Sequence, residues 1–215
     1  MHQHGTVCPK FVGTAAASGV QHLLVRELVP RRSVAAGFRP SGECSLGLAR
    51  AVTPITIRFA TSGDAALLLQ LVRELAAYEQ APDAVVATED DLRRYGFGAE
   101  RRFEALLAFV DGEPAGFALF YPDFSTWLGR PGLYLEDLYV REWARGRGVG
   151  RRLMARLAAL AIERDWPALH FNVLEWNPAA GFYRRLGIDA RDEWRPFAAT
   201  ADVLRSLAAH DVKDQ

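Results

Sequence analysis

The sequence predicts an α/β fold in which helices flank a mixed central sheet. Three observations support this prediction. Apolar, strand-like runs alternate with amphipathic segments along most of the chain. Asp111-Gly112 joins two of the apolar runs, which is the sequence pattern of a tight antiparallel hairpin. The run 133–140 then leads through a glycine-rich loop into an amphipathic helix.

The composition indicates a globular protein with enough chain for one full core. Half of the 215 residues are apolar, and the 26 basic residues balance the 26 acidic ones. We therefore expect no nucleic-acid partner and no membrane partner, since there is no net charge to attract either and no apolar run long enough to cross a bilayer. Two cysteines alone do not suggest a disulfide framework, so a cytoplasmic location is expected.

Residues 1–52 differ in composition from the rest of the chain. Gly, Ala, Ser, Pro and Arg are scattered there without period, so we expect a disordered extension before a single domain spanning 53–215. One hypothesis is that translation begins near Val52. No metal is expected, because the potential ligands of this segment lack paired spacing: His2, His4, Cys8 and His22.

The first half of the domain reads as a strand, two helices and a hairpin. Leucines recur at helical spacing in the segment 64–79. Thr88 and Asp91 have the spacing of a capping box, which begins a helix. Pro and Gly are frequent just before the run 133–140, as in a loop. The predicted elements are a strand at 55–59, a helix at 64–79, a short helix to Tyr95, hairpin strands at 103–110 and 114–121, and a loop at 122–132.

The second half begins with the strand 133–140. Its β-branched and aromatic composition is interrupted by one acidic pair, Glu136-Asp137. The remaining predicted elements are a helix at 151–164, a strand at 169–174, a helix at 177–186 ended by Gly187, and a last amphipathic helix at 201–209.

Three glycines at alternate positions, Gly146, Gly148 and Gly150, precede the helix at 151–164. Unpaired backbone amides and the positive end of the helix dipole meet at such a point, so the loop suits a phosphate or diphosphate. Its spacing differs from the dinucleotide fingerprint, and Arg151 stands where a nucleoside-triphosphate loop has lysine. A purely structural loop stays open at this point.

The segment Arg145-Gly-Arg-Gly-Val-Gly150 resembles the acetyl-CoA loop of the GCN5-related N-acetyltransferases (GNAT), R/Q-x-x-G-x-G/A. Further motifs occur along the chain in the same order as in one branch of that family: Tyr78-Glu79, Leu133-Tyr-Leu-Glu-Asp137, Glu175-Trp-Asn177 and Phe182-Tyr183. Over about residues 55–209 the chain is similar to the diamine acetyltransferases, which include the spermidine/spermine and thialysine enzymes. The resemblance implies the GNAT fold, with parallel strands that splay apart at the acetyl-CoA site, and a homodimer.

The resemblance also implies the residues that bind the cosubstrate, acetyl-CoA. The diphosphate is expected on the glycine loop, and the pantetheine arm along the end of the preceding strand. The implied residues are Leu138, Tyr139, Val140, Arg145, Gly146, Arg147, Gly148, Val149, Gly150, Arg151, Asn177, Ala179 and Ala180.

Two residues are implied as catalytic. Tyr183 aligns with the tyrosine that gives a proton to the departing CoA thiolate, and a phenol with a pKa of about 10 suits that task. A lone tyrosine on an amphipathic helix is otherwise a core residue. The resemblance implies that Glu136 helps to deprotonate the incoming ammonium. The alternative is a purely structural role, as a buried acid paired with an arginine. Strand alternation predicts that Asp137 points to the opposite face and is structural.

For the acceptor, the resemblance implies carboxylates beside aromatic rings, which suit a primary ammonium group. The implied residues are Tyr78, Glu79, Trp127, Glu136, His170, Phe171, Asn172 and Asp192. Two departures weaken a specificity for long polyamines. The segment 80–83 carries little acid, and Glu193 stands where those enzymes have a small residue. Small diamines, lysine-like amino acids and another amine stay open as acceptors.

The sequence thus predicts an acetyl-CoA-dependent N-acetyltransferase that acts on a primary amine of a small molecule by direct transfer in a ternary complex. Two alternatives stay open at this point. One is a non-catalytic acyl-CoA-binding regulatory module, which needs neither Glu136 nor Tyr183. The other is an acetyltransferase for protein N-termini or lysines, which needs an open peptide groove.

Overall fold

The computed structural model describes residues 54–191, 193 and 195–210. The chain divides into two compact units, one ending at His170 and the other beginning at Phe171. The predicted extension at 1–52 lies outside the described residues, as does Asp192. Within the described ranges, no helix is both long and apolar enough to span a membrane.

The first unit contains a five-stranded sheet whose strands lie in sequence order. Neighbouring strands from the first to the fourth are antiparallel, and the fifth pairs with the fourth in parallel, which confirms the predicted mixed sheet. The elements are β1 (Ile55–Phe59), α1 (Ala65–Tyr78), α2 (Glu89–Phe97), β2 (Glu104–Val110), β3 (Glu113–Ser125), β4 (Arg130–Val140), α3 (Val149–Glu163) and β5 (Leu169–His170).

Helices cover both faces of this sheet because side chains alternate along each strand. Leu68, Leu71 and Leu75 of α1 form one core with Phe117 and Leu119 of β3. The alternate residues of the central strands are also buried and face the other way, where α3 contacts β1 to β4. The apolar stripe of α3 that the sequence predicted is buried: Val149, Leu153, Leu157, Leu160 and Ala161.

Two local signals in the sequence are confirmed in detail. The Thr88 hydroxyl accepts a hydrogen bond from the Asp91 amide, and the Asp91 carboxylate accepts one from the Thr88 amide, so a capping box begins α2. Asp111 and Gly112 have φ values of 54° and 84° between β2 and β3. Positive φ at both central residues is the geometry of a hairpin turn whose twist matches its strands.

The predicted loop at 122–132 is wrong, because β3 and β4 extend through most of it. β3 continues to Ser125, β4 begins at Arg130, and Pro122 pairs with Leu133. Proline is tolerated here for a physical reason. β2 begins at Glu104, opposite Phe120, so β3 beyond Phe120 has no β2 partner and its outer side is a sheet edge.

The second unit is mostly irregular, with the short helices α4 (Ala179–Arg184) and α5 (Ala201–Ala208). Gly187 has φ of 80° just after α4, as expected for a glycine that ends a helix. The predicted strand at 169–174 is wrong in length, because only Leu169 and His170 pair, with Leu133 and Tyr134 of β4.

Candidate active site

Glu136 lies at an irregularity of β4. Asp137 pairs with Leu119 of β3 and Leu135 pairs with Phe120, so Glu136 has no Cα partner on β3. This is the two-against-one arrangement of a β-bulge, which breaks the alternation of side chains and redirects the extra residue. The carboxylate of Glu136 is consequently exposed although the strand around it is apolar.

The Glu136 carboxylate is held by a tyrosine of the neighbouring strand. The Tyr121 hydroxyl donates a 3.2 Å hydrogen bond to Glu136 Oε2. Burial and the Glu136 charge raise the pKa of Tyr121 to about 12, so this phenol stays protonated as the donor. The Tyr121 ring stacks on Tyr134, with ring centroids 5.0 Å apart. An exposed carboxylate bonded to a tyrosine does not fit the interpretation of a buried acid paired with an arginine.

Asp137 pairs with Leu119 and Tyr134 pairs with Tyr121, two residues further along β3, so Asp137 lies on the same face as Tyr134 and the prediction from strict alternation is wrong. Burial, followed by the charges of Glu136 and Glu79, raises its pKa to about 6. Burial also raises the pKa of Glu79, which directly follows α1. Two further carboxyl groups, Glu136 of β4 and Glu79 after α1, thus lie within electrostatic reach of Asp137.

The glycine loop has the backbone geometry of an anion site. Gly146 and Gly148 have φ values of 75° and 91°, and Gly148 is the N-cap of α3 without a side-chain cap. A β-carbon at either glycine would meet no atom within 4 Å, so the backbone conformation, and not space, calls for glycine. The amides of Val149, Gly150 and Arg151 have no acceptor within the helix, because first-turn amides never do.

The arginines of the loop have different surroundings. Arg145 donates from Nε to the Val140 carbonyl at 2.9 Å, and its guanidinium lies 4.6 Å from the Tyr78 ring centroid. Arg147 lies over the Trp143 ring at 5.6 Å. Arg151 is exposed in the first turn of α3. Arg145 thus ties the loop to the end of β4 and to α1.

The edge of β4 beyond Tyr134 is open to a ligand strand. β5 pairs with β4 only at Leu133 and Tyr134, and no other strand of the described chain lies on that side. The segment Leu138–Val140, implied to bind pantetheine, belongs to this open edge and leads directly towards the glycine loop. A strand edge without a strand partner offers the backbone groups with which an extended ligand can pair.

The implied acceptor residues of the first unit lie on several elements. Tyr78 ends α1 and its ring lies 6.5 Å from that of Tyr139. His170 is on β5, with Nε2 3.9 Å from Asp123 Oδ2. Trp127 lies exposed in the turn between β3 and β4. The structure thus places Tyr121 against Glu136, and Asp137 within electrostatic reach of both Glu136 and Glu79.

The other implied residues belong to the second unit. Tyr183 on α4 is buried, and its ring lies 4.5 Å from that of Phe171 and 5.1 Å from that of Phe182. The side-chain oxygen of Asn177 accepts a hydrogen bond from the Ala179 amide, so it holds the start of α4 as predicted. Asn172 is exposed, and Ala180 lies in the first turn of α4.

Sequence reasoning missed three residues of the first unit, Tyr121, Asp123 and Tyr134. Tyr121 and Tyr134 are cross-strand partners, and Asp123 pairs with Gly132. The signal that could have found them is the alternation of Tyr121 and Asp123, which continues strand β3 past Pro122.

Comparisons with known proteins agree with this geometry. A model of the Acetyltransferase (GNAT) family matches residues 68–188. Thialysine N-epsilon-acetyltransferase of Bos taurus is 37% identical over 166 residues, which cover 72% of this chain and 97% of that protein. Spermidine/spermine N(1)-acetyltransferase-like protein 1 of Homo sapiens is 35% identical over 163 residues, covering 71% of this chain and 23% of that protein.

A solved structure shows the same architecture. An integron cassette protein from the mobile metagenome of V. cholerae superposes with a TM-score of 0.61 at 28% identity, covering 72% of this chain and 97% of that one. The matched part of the sequence includes the bulged strand, the glycine loop and α4.

Proposed function

Because the chain belongs to the acetyltransferase (GNAT) family and is an N-acetyltransferase, we propose that it acetylates a primary amine of a small basic molecule, a lysine-like amino acid or a diamine. One observation carries the proposal. The exposed Glu136 carboxylate, held by Tyr121, lies on the strand that leads into a helix start without a side-chain cap. The strand thus presents a group for an ammonium, and the helix start that follows it in the chain presents backbone amides for a diphosphate.

Acetyl-CoA is the proposed donor. Its diphosphate is assigned to the amides of Val149, Gly150 and Arg151, and its pantetheine arm to the open edge of β4. The Arg145 side chain already donates to the Val140 carbonyl. We therefore expect Arg145 to leave that carbonyl when pantetheine binds there and to turn towards the diphosphate. Asn177, Ala179 and Ala180 stay assigned to the cofactor on the resemblance alone.

The proposed reaction is direct transfer. The ammonium first loses a proton to Glu136, directly or through water, which frees the nitrogen lone pair. The nitrogen then attacks the thioester carbonyl carbon, a C–N bond forms, and the C–S bond breaks as the tetrahedral intermediate collapses. The departing CoA thiolate takes a proton from the Tyr183 hydroxyl. The attacking nitrogen carries one proton too many for a neutral amide and gives it up to water, and a proton from solvent restores the Tyr183 phenol. Phe171, Asn172, Trp127 and Asp192 stay proposed contacts of the acceptor.

An amine panel tests the function. The full chain is incubated with acetyl-CoA and thialysine, lysine, ornithine, cadaverine or spermidine, and thiol release is followed together with the mass of the product. We expect turnover of a lysine-like or diamine substrate with a higher kcat/KM than for spermidine. The Glu136→Gln/Tyr183→Phe double variant is the blank. Tight CoA binding without acetylation of any amine would contradict the proposal and favour a regulatory module.

Assembly and location complete the proposal. We infer a cytoplasmic homodimer from the resemblance to the diamine acetyltransferases and from the composition. Light scattering during size-exclusion chromatography of the full chain checks the assembly, and a mass near one 23.8 kDa chain at micromolar concentration would contradict it.

A further inference from the structure

Asp123 is an unusual carboxylate of the first unit that the proposed reaction does not use. Its Oδ1 is buried and has no hydrogen-bond partner among the described residues. Its Oδ2 lies 3.9 Å from His170 Nε2, which is beyond hydrogen-bond distance. About a third of the side chain is exposed, at 32%. An acid with one buried, unpaired oxygen on a partly exposed side chain is costly until a cation binds it.

The backbone beneath Asp123 is shaped for this side chain. Asp123 pairs with Gly132 of β4, and a β-carbon at Gly132 would lie 2.5 Å from Asp123 Oδ1. The carboxylate therefore folds down over β4 only because residue 132 has no side chain. The backbone of β4 at Gly132 therefore leaves the space that this carboxylate occupies.

Asp123 also shares a face with the proposed catalytic acid. Pairing between β3 and β4 is regular from Tyr121 to Asp123, so Tyr121, Tyr134 and Asp123 point to the same side. Tyr121 pairs with Tyr134 at a level of the sheet between Asp123, which pairs with Gly132, and Glu136, so the stacked rings lie between the two acids. The face thus carries a carboxylate at each end and an aromatic wall between them.

We propose that Asp123 binds a second cationic group of the acceptor while the reacting nitrogen lies at Glu136. The enzyme would then select amines with two positive charges over monoamines. This inference rests on the proposed function and adds a residue that determines specificity. The aromatic wall suits it, because Tyr121 and Tyr134 can contact the alkyl chain and attract ammonium groups at their faces.

The spacing favours a short diamine or a basic amino acid. Four residues of β4 separate the levels of Asp123 and Glu136, about 13 Å along the strand. If each ammonium nitrogen lies about 3 Å from its carboxylate, on the side that faces the other acid, roughly 7 Å remains between the two nitrogens. Two amines on a five-carbon chain, as in cadaverine or between the two amino groups of lysine, are about that far apart when extended.

The test uses two acceptors that differ in one charge, cadaverine and n-pentylamine, with the full chain and acetyl-CoA. We expect the wild type to prefer cadaverine in kcat/KM by about tenfold or more, the effect of one charged hydrogen bond. Asp123→Asn should remove about tenfold from kcat/KM for cadaverine, through KM, and leave the value for pentylamine within about twofold.

Two further variants make the test specific. Gly132→Ala keeps the charge but displaces the carboxylate, so it should raise KM for cadaverine in the same way; it also carries the test if Asp123→Asn fails to fold. Asp111→Asn removes an exposed acid in the β2–β3 turn and should change neither substrate.

The outcomes separate this inference from the proposed function. Equal kcat/KM for the two amines in the wild type, or an equal loss for both in Asp123→Asn, would overturn the role of Asp123 while acetylation persists. Absence of turnover with every amine of the panel would overturn the proposed function, and the inference with it.

Discussion

The Tyr121 hydroxyl donates a 3.2 Å hydrogen bond to Glu136 Oε2 across the β3–β4 pair. Glu136 stands two residues after Tyr134, the cross-strand partner of Tyr121, and is the extra residue of the bulge, so its carboxylate lies diagonally across from Tyr121. The Tyr121 ring is itself fixed by stacking on Tyr134. The orientation of the proposed base therefore depends on residues of β3 and β4 together.

Tyr121→Phe should weaken catalysis without removing a reacting group. The variant keeps the stacked ring but lacks the donor, so Glu136 is less well oriented, and a neutral-to-charged hydrogen bond of about 1–2 kcal/mol is lost. We expect kcat/KM for the amine to fall about fivefold to thirtyfold, with the KM for acetyl-CoA unchanged. Steady-state kinetics with both substrates varied measures this.

A double-mutant cycle with Glu136→Gln is the control. If Tyr121 acts through Glu136, adding Tyr121→Phe to Glu136→Gln should cause much less additional loss than it causes in the wild type. Full additivity of the two losses would show that Tyr121 acts independently of Glu136.

Gly148→Ala should weaken acetyl-CoA binding through the backbone. Gly148 has φ of 91° and open space where a β-carbon would lie, so alanine is strained by about 1 kcal/mol and not by a clash. Relief of that strain rotates the first amides of α3 away from the diphosphate. We expect the KM for acetyl-CoA to rise about tenfold, the effect of losing one charge-assisted hydrogen bond.

The matched control is Gly112→Ala, in the β2–β3 turn. Gly112 has φ of 84° and equally open space, so the loss of stability should be similar. Its KM for acetyl-CoA should equal that of the wild type. A rise in KM in both variants would mean that reduced stability, and not the α3 amides, explains the effect at Gly148.

The parts of this fold and site that the sequence predicted depend on local signals. The capping box of α2, the Asp111-Gly112 turn and the glycine start of α3 are each fixed by a few adjacent residues. Their conformations follow from positive φ or from side-chain bonds to nearby amides.

The parts it did not predict depend on pairing between distant residues. The bulge at Glu136 appears only when β4 is aligned with β3, because nothing within 133–140 shows which residue lacks a partner. Pro122 and the glycines after it predict a loop. In the structure this segment is paired with β4, and the pairing places Tyr121 and Asp123 on one face of the sheet. Single-strand alternation consequently gave the wrong direction for Asp137.

Tyr183→Phe should lower turnover far more than cofactor affinity. Phenylalanine preserves the ring that packs against Phe171 and Phe182 but has no proton to give. We expect kcat to fall about 100-fold or more, the usual contribution of a general acid, with the KM for acetyl-CoA little changed. Tyr95→Phe on α2, outside the proposed machinery, is the control, and unchanged turnover in Tyr183→Phe would remove the assigned role.

Asp137→Asn should change how stability depends on pH. The folded-state pKa of Asp137 is raised to about 6, chiefly by burial and then by Glu136 and Glu79, whereas an aspartate of the unfolded chain titrates near 3.9. The folded state thus holds this proton more tightly, so ionisation opposes folding. Its cost is absent below about pH 4, grows as pH rises to about 6 and is fully present above that.

Removing the ionisable group removes this cost. The free energy of unfolding of Asp137→Asn relative to the wild type should therefore rise by about 1–3 kcal/mol between pH 4 and pH 8. Urea unfolding at pH 4, 6 and 8 measures the difference. Gly112→Ala, destabilised without loss of an acid, should stay parallel to the wild type at all three pH values. A constant difference for Asp137→Asn across this range would mean that Asp137 does not retain its proton at the buried end of the bulge, and Glu136 would then act beside a second ionised carboxylate.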